Sequence, residues 1–118
     1  MKINIKNNEF DLHYSMRMYI LYENIMGKSL SFENMNSYTS LIVMFYAAII
    51  ATIQKNHVDL VITYDEFMDW LDSQQSAADT VKEFGDWLAA NLNVNTSLVG
   101  DNDDVKENKN DKRRKSKN

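Results

Sequence analysis

The chain has 118 residues and a mass of 13.8 kDa, one domain's worth of polypeptide, with 44% apolar and 25% charged residues as in ordinary soluble domains. Its 17 acidic and 13 basic side chains leave a net charge of −4, which argues against a general nucleic-acid binder, since such a fold is basic. No cysteine is present, which excludes disulfide scaffolds, thiolate metal sites and thiol nucleophiles.

The charges are unevenly placed. Residues 1–92 carry 6 basic and 12 acidic groups, whereas residues 93–118 carry 7 basic and 5 acidic. The second stretch holds few sizeable apolar residues, too few to offset about 1–2 kcal/mol of backbone entropy per residue. It is expected to be a disordered, charged C-terminal tail that ends in a basic cluster of Lys112, Arg113, Arg114, Lys115 and Lys117. Residues 1–92 are expected to form a single folded domain.

Ile3 and Ile5, then Phe10, Leu12 and Tyr14, alternate with polar residues. A period of two marks half-buried strands. Asn7-Asn8 stands between them, and Asn tolerates the positive φ of a tight turn. The pattern predicts a hairpin over 2–13. The opening residues build no apolar signal segment, so a cytosolic protein is expected.

Ser15 is placed to cap a helix, Met18, Leu21, Tyr22 and Ile25 follow at helical spacing, and Gly27 is suited to close it. This predicts a helix over 15–26. Leu41 to Ile53 contains one polar residue and predicts a helix over about 36–54. The run is shorter than the roughly 20 residues of a membrane span, which points to a central core helix. Thr63 and Glu66 have capping-box spacing ahead of a helix over 64–73, with Tyr64, Phe67, Met68 and Leu71 on one face. Ser76 and Asp79 open a last helix over 77–92, with Val81, Phe84, Leu88 and Leu92 as its stripe. The expected fold is mainly α with a small N-terminal β-hairpin, about four helices arranged around a central apolar one.

Chemistry is thinly represented. His13 and His57 each stand one residue away from an aspartate, a pattern that surface histidines explain better than metal or acid–base work. Asp65, Glu66, Asp69 and Asp72 lack the loop spacing of a calcium site and read as a solvated acidic face or a docking surface for a basic partner. The three glycines are far apart and form no phosphate-cradling loop, and no nucleophile elbow is present. The expectation is a protein without enzymatic activity, cofactor or metal. Trp70 and Trp87 lie beside the apolar stripes of their helices and, with Asp65 and Asp69, are candidate partner-binding residues; packing at the edge of a small core explains the two tryptophans equally well. The seven Met residues suit either core packing or an adaptable contact surface.

One segment carries a resemblance. Tyr14-Ser15, Arg17, the apolar run Ile20 to Tyr22, Glu23 and Met26-Gly27-Lys28-Ser29 are similar to the opening of tail assembly chaperones of long-tailed bacteriophages and prophages. Ile62 to Leu71 resembles that family's second helical signature, so that the likeness covers about residues 9–72. The resemblance implies a non-enzymatic chaperone in the host cytoplasm, absent from the mature virion. Such a protein binds the tape measure protein and helps bring tail tube subunits to it. No membrane or specific nucleic acid would be involved, and the oligomeric state stays open. Two rival readings are a small acidic adaptor that binds another protein, and a weak nucleic-acid binder acting through the basic tail.

Overall fold

The computed structural model describes residues 1–28 and 37–99, the last seven as backbone only. In chain order the elements are β1 (Lys2–Ile5), β2 (Asn8–Asp11), α1 (Met16–Met26), α2 (Tyr38–Lys55), α3 (Tyr64–Asp72) and α4 (Ala77–Val99). The fold is mainly α with one small antiparallel hairpin at the N-terminus. The chain forms two compact units, Met1–Gly85 and Asp86–Asn118, and the second is described only over residues 86–99.

The hairpin pairs Ile3 with Phe10 and Ile5 with Asn8. Its two-residue turn is Lys6-Asn7, both at positive φ (52° and 63°), not the expected Asn7-Asn8. Both registers keep Ile3, Ile5 and Leu12 on one face, so hydrophobic patterning does not choose between them. Local polar bonds accompany the observed one: Asn8 Nδ2 donates to the Lys6 carbonyl at 2.8 Å. Lys6 Nζ in turn donates to the Val61 carbonyl at 3.0 Å and to Glu66 Oε2 at 2.8 Å.

α1 starts at Ser15, whose hydroxyl accepts the Met18 N–H at 3.3 Å, and closes at Gly27 with φ 72°. Met18 and Tyr22 are buried, Leu21 is half-buried, and Ile25, expected in the buried stripe, is 45% exposed in the last turn. α2 is the central apolar helix of the first unit. Ten of its residues are buried, and Phe45 is the hub: its ring stacks on Phe84 (4.5 Å, 6°) and meets Phe67 and Trp70 edge-on at 5.3 and 5.9 Å. Such aromatic pairs stabilise by about 0.5–1.5 kcal/mol beyond the area they bury. By length and composition α2 is apolar enough to cross a membrane, yet 56% of it is buried within the fold.

α2 ends in a Schellman arrangement, with the Val58 N–H on the Ile53 carbonyl and the His57 N–H on the Gln54 carbonyl. His57 holds the left-handed position at φ 56°. Both halves of the expected Thr63–Glu66 capping box are formed. The start of α4 is likewise as expected, with Ser76 Oγ accepting the Asp79 N–H at 3.2 Å. Its end is not: the helix continues to Val99, seven residues past the expected stop at 92. Residues 93–99 contain no glycine or proline and hold Val94, Leu98 and Val99, three of the four sizeable apolar residues of 93–118, and extending a helix that is already nucleated costs little. The rest of the expected tail, with Lys112, Arg113, Arg114, Lys115 and Lys117, lies outside the described residues.

Candidate functional site

Of the two segments that carry the resemblance, the second falls before and on α3, and most described residues of the first build α1. Ser15 is its N-cap, Gly27 its left-handed C-cap, and Tyr22 (1% exposed) a core side chain. Glu23 is half-buried and its carbonyl accepts the Gly27 N–H at 2.8 Å. Tyr14 and Tyr19 share a 2.5 Å hydroxyl–hydroxyl bond across an edge-on ring pair. Burial, then the Tyr14 hydroxyl beside it, pushes the Tyr19 phenol well above its ordinary range. Arg17 and Lys28 are exposed, and Ser29 lies outside the described residues.

Arg17 belongs to an open groove of about 300 Å3 with His13, Ser15, Ala51 and Lys55. The groove forms where the backbone turns from β2 into α1: the His13 N–H donates to Thr52 Oγ1 (2.9 Å), and Thr52, 1% exposed, donates to the Ala48 carbonyl at 2.8 Å. That buried threonine pins residue 13 to α2 and leaves the His13 side chain outside. On α1, Met16 and Ile20, one residue before and three after Arg17, are 71% and 53% exposed. They were legible as an i, i+4 pair, but they fall outside the stripe defined by Met18 and Tyr22, and only the packed helix shows which face is covered.

A second exposed set lies before and on α3. Val58, Val61 and Tyr64 are 42%, 74% and 38% exposed, and Asp65 and Asp69 are exposed on the same helix. Trp70, read as a partner anchor or as packing at the edge of the core, is half-buried and bonded within the first unit. Its Nε1 donates to the Asn4 carbonyl at 2.7 Å, and its ring stacks near Phe67 and meets Phe45 edge-on. Trp87, in the second unit, is half-buried and its carbonyl accepts from Asn91 Nδ2 at 2.9 Å.

His57 serves as a helix terminus, and His13 lines the basic groove. Among the described residues no cluster of three or more His, Asp or Glu side chains is placed to hold a metal ion. The polar groove lined by Gln74, Ser76, Asp79, Thr80 and Glu83 is open. Another, of about 220 Å3 between Tyr38, Leu41, Val81 and Lys82, is open and mostly apolar. What the surface offers is therefore apolar side chains on helices, flanked by charge. Compared with known proteins, the chain matches no family profile, no curated protein and no solved structure.

Proposed function

We propose that this protein is a tail assembly chaperone of a long-tailed bacteriophage or prophage: a binding protein without catalysis that works in the host cytoplasm and is left out of the mature virion. It holds the tape measure protein and helps recruit tail tube subunits to it. One observation carries the reading: Met16 and Ile20, two large apolar side chains a helical turn apart, stand exposed on α1, the helix that bears the resemblance. A helper for a long helical client needs such apolar side chains on a rigid element, ringed by charge that keeps it soluble. Co-expression with the tape measure protein encoded beside it tests the proposal. The client is expected to stay soluble with this chain and to aggregate without it, and equal solubility in both cases rejects the reading.

A second reading, an acidic adaptor, draws on exposed Asp65 and Asp69 next to Val61 and Tyr64. Pull-down from infected cells separates the two, because the adaptor retrieves a basic partner and no tail protein.

A further inference from the structure

The groove beside α1 has a charge pattern that the fold does not account for. Lys2 and Lys6 are each paired, with Asp11 and Glu66. Among the described residues no carboxylate lies within 4.0 Å of Arg17 or Lys55, although residues 1–92 hold twice as many acids as bases. These two unpaired cations and His13 line the same groove. Lys55 by itself has a structural reason, since a cation in the last turn of α2 complements the helix dipole. Arg17 has none: it sits in the first turn of α1, where the dipole disfavours a cation and no acidic side chain offsets it. Residues that break a local rule without an evident gain are expected at functional or strained sites.

On α1, Ile20 stands three residues after the groove's Arg17, a same-face spacing, and exposed Met16 stands four before Ile20. Residues four apart lie one above the other on a helix, roughly 6 Å apart along the axis. We infer that the groove and this apolar pair together form one docking surface for an amphipathic helical segment of a partner protein, which presents a carboxylate beside two apolar residues one turn apart. The inference rests on the client-binding reading and sharpens it, naming the surface used and the chemistry selected. Charge complementarity chooses the occupant. Arg17 pairs a carboxylate through two parallel N–H bonds, and Lys55 and His13 add positive potential. An anionic membrane or a nucleic acid would instead set the net −6 of residues 1–92 against a second polyanion.

The test uses the full chain and two fluorescent amphipathic peptides of ~18 residues, five helical turns. They are identical except for a central Glu or Lys beside a Leu pair. By anisotropy, the Glu peptide is expected to bind at least about tenfold more tightly than the Lys peptide, and the double variant Arg17→Glu/Lys55→Glu to reverse that order. Arg17→Gln/Lys55→Gln should erase the preference, and Met16→Ser/Ile20→Ser should weaken both peptides. All four positions are exposed, so circular dichroism should show each variant folded. Equal affinity for the two peptides, affinity untouched by the charge variants, no binding of either peptide, or tighter binding to phosphatidylglycerol vesicles overturns the inference. The co-expression assay keeps it distinct from the reading beneath it. A client protected equally by the wild type and by Arg17→Glu/Lys55→Glu sinks the docking surface and leaves the chaperone standing. A client that the wild type fails to protect removes the chaperone, and the peptide order then decides the surface alone.

Discussion

The indole of Trp70 donates from Nε1 to the carbonyl of Asn4 at 2.7 Å, tying α3 to β1 across 66 positions of sequence. The same ring lies 6.0 Å from Phe67 and 5.9 Å from Phe45. A two-stranded hairpin is marginal by itself, and here it is held from outside by one indole and by the Lys6 bonds to Val61 and Glu66.

Trp70→Phe keeps a ring in the stack and removes the hydrogen bond. It is expected to cost about 1 kcal/mol, while Trp70→Ala costs about 3 kcal/mol because the ring is only half-buried. Urea denaturation measures both. A partner anchor would behave otherwise, with Trp70→Phe lowering client affinity and leaving stability alone.

Thr52 makes a second long tie. Its hydroxyl accepts the His13 N–H and donates to the Ala48 carbonyl from a fully buried position in α2. Thr52→Val preserves shape and strands the His13 N–H, with an expected loss of about 1–3 kcal/mol, whereas Thr52→Ser restores most of it. Amide exchange at His13 supplies the local reading: protection should fall in Thr52→Val and return in Thr52→Ser.

These ties show what the sequence could and could not tell. Local signals were legible because their physics is local. Ser15, Gly27, the Thr63–Glu66 box and the Ser76 cap each satisfy or permit a backbone group within a few residues. The long apolar run of α2 likewise announced the core. The turn register was not legible, because two pairings bury the same isoleucines and the observed one is accompanied by polar bonds reaching to residues 61 and 66. The tie from Trp70 to the hairpin was not legible for the same reason: its hydrogen-bond partner is at residue 4. The groove brings together residues 13, 17 and 55, and no spacing rule connects Lys55 to α1.

The two left-handed helix ends predict opposite outcomes for glycine. Gly27 has φ 72°, and a Cβ there would meet nothing within 4 Å, so Gly27→Ala costs about 1 kcal/mol through backbone strain alone. His57 occupies the matching position at the end of α2 with a side chain that is exposed. His57→Gly should therefore stabilise by about 0.5–1 kcal/mol, the relief of that strain less the extra freedom of the unfolded chain. Thermal melts of the two variants should move in opposite directions. A loss of stability in His57→Gly would show that its imidazole makes a needed contact.

The pH dependence should come from two places with opposite signs. Glu66 is held below the usual carboxylate range, first by the hydrogen bond from Lys6 and then by the Thr63 N–H. Its contribution is present above the unfolded carboxylate value of about 4.3 and is lost as pH falls through the depressed folded value. Glu66→Gln keeps an acceptor for Thr63 and removes the charge, so it should flatten the acid limb of the stability profile. At the other end, Tyr19 is raised by burial first and by Tyr14 second. Because the fold favours the neutral phenol, that stability is complete below pH ~10 and disappears as pH climbs from there through the raised folded value. Tyr19→Phe should flatten the alkaline limb, and ultraviolet difference titration should lose its latest-ionising tyrosine. If the wild-type tyrosines instead titrate together near pH ~10 with the fold intact, neither the burial of Tyr19 nor its bond to Tyr14 holds its phenol neutral.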